Sequence, residues 1–289
     1  MKQKYQAPHT PDDIKDVLEY FKIKLNKDFG QNFLIDPEVV EVMALACTKT
    51  DTILEVGPGL GILTEQLVAR SNNVIAVELD SQLEPILLTL ETQYNNLSIV
   101  RGDILKTDLS KQGLNNGSFA IVASLPYQIT SKFLRNMLTL KPYPAEMILL
   151  IQKEVAERIV VKPGKMSVLS LSVQVFADVE IVTQVPRESF FPSPRVDSAV
   201  IAIRNIRSKQ IIDVQQEKLF FQLIKTGFAH KRKKLANNLK NLVVHNKKIS
   251  EKQLDQLFIE LGLEANVRAQ QLSLDDWKKM VDKLESFVI

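Results

Sequence analysis

The chain has 289 residues, 45% hydrophobic and 25% charged, with a net charge of +3, which suits one large domain plus a small one and excludes a disordered or fibrous chain. One cysteine, Cys47, and three scattered histidines give no basis for disulfides or for a metal site. No run approaches the roughly 18 apolar residues of a spanning helix, and the polar, acid-bearing start MKQKYQAPHTPDDIKD is unlike a signal or transit peptide, so a cytoplasmic protein with no membrane association is expected.

Residues 1–23, His9 included, are expected to form a flexible arm. Pro37–Ala46 then reads as a helix with Asp36 as N-cap and Pro37 at the first helical position. From Asp51 to Arg204, short β-branched runs alternate with helical patterns, the signature of a parallel sheet with crossover helices. Strands are expected at Thr52–Val56, Asn73–Val77, Leu97–Arg101, Phe119–Ala123 and Glu146–Gln152, with two more near Val173–Ile181 and Ser198–Ile203. The helices between them fall near Ile62–Arg70, Ser81–Gln93 and Ser131–Leu140. After Arg204 strand signals stop. Gln215–Ala229, Lys231–Val243, Ser250–Leu261 and Ser273–Phe287 carry helical spacing, with Ser250 and Gln253 forming a capping box. The expected fold class is therefore α/β: a seven-stranded, mostly parallel sheet over residues 24–205, followed by a small all-helical domain over 206–289.

The charge is uneven. Residues 206–248 hold eleven Lys and Arg against Asp213 and Glu217, whereas 249–289 hold five against eight acids. One basic segment suggests a polyanionic partner, and Lys231, Arg232, Lys233, Lys234 and Lys240 are its candidate phosphate-binding residues.

The strongest local signal is Glu55-Val56-Gly57-Pro58-Gly59-Leu60-Gly61 at the end of the first long strand. Glycines at alternate positions let the backbone turn sharply and approach a ligand. The spacing is one residue short of the dinucleotide fingerprint, and no Gly-Lys-Ser/Thr follows. A shortened turn fits a ligand without a pyrophosphate, such as S-adenosylmethionine, and disfavours an NAD-dependent oxidoreductase. Glu78, twenty-one residues after Gly57, stands where an acid accepts from both hydroxyls of an adenosine ribose. Asp103 stands at the next strand end, suited to an adenine amino group, with Ile104 against the ring face.

The fourth strand runs into Ser124-Leu125-Pro126-Tyr127. An exocyclic amine on a nucleobase is a poor nucleophile because its lone pair is delocalised into the ring. Ser124 Oγ and the Leu125 carbonyl can hold both amine hydrogens and favour a tetrahedral nitrogen, with Pro126 stiffening the turn and Tyr127 offering a stacking face. In Phe190-Phe191-Pro192 one aromatic is expected to clasp a flipped base opposite Tyr127; Phe190 is the candidate.

Together these residues resemble the ribosomal RNA adenine dimethyltransferases, the KsgA/RsmA family. The carriers are Phe29-Gly30-Gln31-Asn32-Phe33-Leu34, the glycine loop, Val77-Glu78-Leu79-Asp80, Gly102-Asp103, Leu125-Pro126-Tyr127, Gln152-Lys153-Glu154-Val155 and the run from Phe190 to Val200. The resemblance runs from about Lys24 to the C-terminus. It implies a Rossmann-like, S-adenosylmethionine-dependent methyltransferase domain. It implies transfer of two methyls to N6 of each of two adjacent adenines near the 3′ end of small-subunit rRNA, during ribosome assembly. Asn32 and Leu34 would line the cofactor site with Gly57, Gly59, Glu78, Asp103, Ile104 and Ser124, and the protein would work as a monomer. Two alternatives stay open: an Erm-type large-subunit rRNA methyltransferase, and a catalytically weak RNA-binding assembly factor. One departure matters, since family members usually carry Asn where this chain has Ser124. Related amino-methyltransferases use Ser in an S-P-P-Y turn, so Ser124 bears on rate and on the second methylation. Gln128 likewise stands where Asn is more usual.

Overall fold

A computed structural model describes residues 5–25, 30–48, 50–207, 212–244 and 247–286. Phe29, which opens one of the motifs above, and residues 208–211, near the expected boundary between the two domains, lie outside the described residues.

The chain opens with α1 (Pro11–Tyr20), β1 (Phe33–Leu34) and α2 (Pro37–Ala46). It continues through β2 (Thr52–Val56), α3 (Ile62–Val68), β3 (Asn73–Glu78), α4 (Glu84–Gln93), β4 (Leu97–Arg101), β5 (Ala120–Ser124), α5 (Thr130–Thr139) and β6 (Glu146–Gln152). Next come α6 (Lys153–Ile159), α7 (Val168–Gln174), β7 (Asp178–Val185), β8 (Phe190–Phe191) and β9 (Ser198–Arg204). The C-terminal elements are α8 (Val214–Gly227), α9 (Leu235–Leu239), β10 (Val243–Val244), β11 (Lys247–Lys248), α10 (Glu251–Glu260) and α11 (Leu274–Ser286).

Seven strands form one sheet in the order β4-β3-β2-β5-β6-β9-β7. The first five are parallel; β9 runs antiparallel to both β6 and β7. The parallel strands are near-continuous apolar runs because helices cover both faces: Ile121, Val122 and Ala123 of β5 and Ile148 and Leu149 of β6 have no exposed surface. From β2 the chain proceeds outward to β3 and β4, then returns to the other side of β2 with β5. That reversal opens a crevice beyond the carboxyl ends of β2 and β5, where open α/β sheets bind ligands.

The chain divides into two compact units, Met1–Ala156 with Asp178–Ile206, and Glu157–Ala177 with Arg207–Ile289. The second unit therefore takes in α7, which lies inside the stretch expected to belong wholly to the sheet domain. The late start of the following strand has a local reason. Ser167 and Ser170 make a reciprocal cap, with Ser170 N–H on Ser167 Oγ at 3.1 Å and Ser167 N–H on Ser170 Oγ at 2.8 Å. A helix starts there, so the strand expected from Val173 begins only at Asp178. The core of this unit holds Phe220, Leu223, Leu235, Leu257, Trp277 and Met280, all without exposed surface. Trp277 stacks on Phe228 with ring centroids 5.7 Å apart, and a Cβ at Gly227 would lie 2.5 Å from its ring.

The N-terminal residues also differ from expectation. Thr10, Pro11 and Asp13 build a capping box, so Pro11–Tyr20 is helical rather than a flexible arm. Ile14 and Leu18, one turn apart, go into the main core together with Ala7 and Ile23, and each such burial of a large aliphatic side chain stabilises by about 1.5–3 kcal/mol.

Candidate active site

The glycine loop leaves β2 through Gly57, whose N–H still bonds to Val77 C=O at 2.9 Å. Its φ of +71° would strain any other residue, and no atom lies within 4 Å of where a Cβ would point. The loop ends at Gly61, the N-cap of α3, with φ +86°. A Cβ at Gly61 would fall 2.4 Å from Leu90 Cδ1, so this glycine lets α4 pack closely on the turn.

Glu78 closes β3 beside that loop. One carboxylate oxygen accepts from the Leu79 and Asp80 N–H groups, each at 2.8 Å, and the other from Gly59 N–H at 3.3 Å. Burial raises its pKa, against the lowering effect of these three bonds. Asp103 follows β4 in an Asx turn, its Oδ1 accepting from Leu105 N–H at 2.9 Å, with Ile104 buried next to it. Asn32 bonds its own loop through Nδ2 to Gly30 C=O at 2.9 Å. That loop is tied to the end of β3 by Gln31 Nε2 on Asp80 Oδ2 at 2.6 Å.

On the other side of the reversal, β5 ends in Ser124, paired with Leu150 of β6. The Pro126 carbonyl turns into the start of α5, accepting from Ile129 N–H at 3.2 Å and Thr130 Oγ1 at 3.3 Å. Among the described residues, neither Ser124 Oγ nor the Leu125 carbonyl has a hydrogen-bond partner. Tyr127 shares a hydrogen bond of 3.2 Å with Ser198 Oγ of β9. Phe190 in β8 pairs with Leu34 in β1, and Phe191 with Phe33. Of the two adjacent aromatics, Phe190 is the more buried, 5% exposed.

All these features meet in one cavity of about 330 Å³, within the range of small-ligand sites. Its lining includes each of the twelve positions singled out from sequence: Asn32, Leu34, Gly57, Gly59, Glu78, Asp103, Ile104, Ser124, Leu125, Pro126, Tyr127 and Phe190. It also includes Pro8, Ile14 and Ser198, which sequence reasoning missed. Ser198 had no local signal, because only the register of β9 brings it to Tyr127. A further pair went unnoticed behind the loop. Glu55, 1% exposed on β2, accepts from Thr64 Oγ1 of α3 at 2.7 Å. Its other carboxylate oxygen is buried with no partner among the described residues. Burial, only partly offset by the Thr64 bond and reinforced by the charge of Glu78, pushes its pKa up to about 8.

The basic run lies in the other unit, on an exposed turn between α8 and α9. The helix expected over Lys231–Val243 shrinks to Leu235–Leu239. Asn238 Nδ2 of this short helix bonds the Gly227 and His230 carbonyls at 2.6 and 3.2 Å, which fixes the turn after α8. Lys231, Arg232, Lys233 and Lys234 all face solvent, whereas Lys240 is ion-paired with Glu251 at 3.0 Å.

The profile of the family described as "Ribosomal RNA adenine dimethylase" matches residues 22–286. The chain belongs to the ribosomal RNA adenine dimethylase family. It is thus an S-adenosylmethionine-dependent methyltransferase by family and by fold. A protein of Dehalococcoides mccartyi named "Ribosomal RNA small subunit methyltransferase A" is 39% identical over 276 residues, covering 95% of this chain and 93% of that one. Among solved structures, a dimethyladenosine transferase from Plasmodium falciparum superposes with a TM-score of 0.74 at 26% identity, over 88% of this chain and 98% of that one. The 23S rRNA methyltransferase ErmE superposes with a TM-score of 0.71 at 22% identity, over 88% of this chain and 100% of that one; it shares the fold. No helix among the described residues is long and apolar enough to cross a membrane.

Proposed function

We propose that this dimethylase modifies N6 of two adjacent adenines near the 3′ end of small-subunit rRNA while the subunit assembles, acting as a monomer in the cytoplasm. One observation carries the reading: a single cavity at the reversal of the sheet holds the glycine loop, two acids at successive strand ends, and the Ser124–Tyr127 turn. The name of the Dehalococcoides relative supports the small subunit as target.

The cavity suits S-adenosylmethionine. Glu78 is already drawn towards the glycine loop and offers acceptor lone pairs to ribose hydroxyls. Asp103 offers an acceptor to the adenine amino group, and Ile104 and Leu34 offer apolar walls. When bound, the cofactor supplies an electrophilic methyl group. Ser124 Oγ and the Leu125 carbonyl, with no protein partner among the described residues, accept the two hydrogens of the target amine and hold its lone pair in line. The Tyr127 ring, held by Ser198, and Phe190 clasp the base. Most of the rate then comes from alignment and fixed dipoles. Lys231, Arg232, Lys233 and Lys234 dock rRNA phosphates, with Lys240 beside them, while base identity is read in the cavity. In this division of labour, the unit that holds the sheet carries the chemistry and the unit that holds the basic run the docking.

The test is methyl transfer from labelled S-adenosylmethionine to small subunits lacking the modification, with mass mapping of the product nucleosides. Dimethyladenosine at paired adenines near the 3′ end is expected. Label in large-subunit rRNA, or subunit binding without product, would overturn the proposal.

A further inference from the structure

The segment before the matched family region, which starts at residue 22, reaches into the cofactor side of the cavity. Tyr5 donates its hydroxyl to the Leu60 carbonyl at 2.9 Å, and Leu60 lies inside the glycine loop, 2% exposed. The next peptide atom is engaged as well, Gly61 N–H bonding to Pro58 C=O at 2.9 Å. The Leu60–Gly61 peptide is therefore held at both ends, one of them by a side chain fifty-five residues away. Tyr5 is itself fixed. Its carbonyl accepts from Gln93 Nε2 of α4 at 3.1 Å, and its ring meets Phe21 edge-on at 6.3 Å. Burial, with the charge of Glu65 adding to it, raises the phenol pKa, so the hydroxyl stays a donor.

The same segment supplies wall. Pro8 and Ile14 line the cavity, and Lys15 Nζ stands 5.8 Å from the Phe191 ring centroid. Lys24 and Gln82 exchange two hydrogen bonds, at 3.2 and 3.3 Å, tying the far end of the segment down beyond β3. A stretch that merely trailed from the domain would have no reason to commit a half-buried hydroxyl to one carbonyl of the ligand turn.

We propose that residues 5–25 are a working part of the cofactor site, with Tyr5 a positioning residue that sets the Leu60–Gly61 peptide and Pro8 and Ile14 contributing wall against S-adenosylmethionine. Without the Tyr5 hydroxyl the buried Leu60 carbonyl loses its partner, and the turn that shapes the loop is free to rotate. The effect falls on the cofactor and not on the RNA. This rests on the cavity being the cofactor site, and the experiment separates the two.

Tyr5→Phe keeps the ring and removes only the hydroxyl. Binding of S-adenosylmethionine is measured by calorimetry for wild type and variant, with steady-state methylation of small subunits. The variant is expected to bind the cofactor about five- to tenfold more weakly. Its KM for cofactor should rise to match, while kcat and KM for the subunit stay within about twofold. In the wild type, saturating S-adenosylhomocysteine should slow amide exchange in residues 5–25. Equal cofactor affinity in the two proteins, or exchange in 5–25 indifferent to the ligand, overturns the positioning role. Failure of the wild type to bind S-adenosylmethionine overturns the cofactor site itself.

Discussion

Glu55→Gln changes one proton-binding group behind the glycine loop and little else, since the amide matches the protonated acid in shape. Burial holds the Glu55 carboxyl neutral up to a pKa of about 8, against an ordinary 4.5. At about 1.4 kcal/mol per pKa unit, the preference of the folded protein for the protonated form amounts to about 5 kcal/mol. The sign follows from proton counts. Between pH 4.5 and 8 the folded chain keeps a proton here that the unfolded chain has lost, so stability falls as pH rises through that window and levels off above it. From pH 5 to pH 9 the wild type should lose about 4 kcal/mol through this group alone, and the glutamine variant should not. Urea unfolding of both proteins at pH 5, 7 and 9 isolates the effect, because titrations other than those of Glu55 and its neighbour Glu78 cancel in the difference. The variant should be close to wild type at pH 5 and more stable by several kcal/mol at pH 9. A difference that is the same at all three pH values would show that Glu55 is already ionised in the folded protein.

Glu78→Ala should weaken S-adenosylmethionine binding by about 1–3 kcal/mol through lost hydrogen bonds to a charged group, measured by calorimetry; unchanged affinity would remove the ribose assignment. Replacing Lys231, Arg232, Lys233 and Lys234 together with Gln should weaken rRNA binding and flatten its dependence on salt by roughly 0.7–0.9 in log–log slope for each phosphate no longer neutralised. An unaltered slope would place docking elsewhere. Ser124→Asn should retain or raise the methylation rate and the share of dimethylated product, read by mass mapping, and a large loss would show that the pocket has adapted to the shorter side chain.

Much of this molecule was legible in the chain because its signals are local. The edges of β2, β4 and β6 follow apolar runs cut off by polar or glycine residues, and Asp36 caps α2 as its position suggested. Ten of the twelve cavity positions could be named because each sits at a strand end or in a loop between recognisable elements, and Asn32 and Leu34 because the family motif carries them. What escaped depended on residues distant in sequence or on helix caps the reading did not use. Thr10 and Asp13 cap a helix whose Ile14 and Leu18 find the core only in the folded chain. Val173 and Val175 look like strand residues until Ser167 and Ser170 set a helix phase. Ser198 reaches Tyr127 only through the antiparallel register of β9, and Tyr5 reaches Leu60 only through the fold as a whole.

The two-residue ladder between β1 and β8 joins more than backbone. Leu34 belongs to the loop assigned to the cofactor and Phe190 to the wall assigned to the target base, and each is the other's partner. Two methyls on one nitrogen require the spent donor to leave and a fresh one to arrive between transfers. With the two loops laced together, any coupling between donor and acceptor that passes through the ladder acts equally in both directions. Phe33, Leu34, Phe190 and Phe191 are the four residues through which the two loops meet.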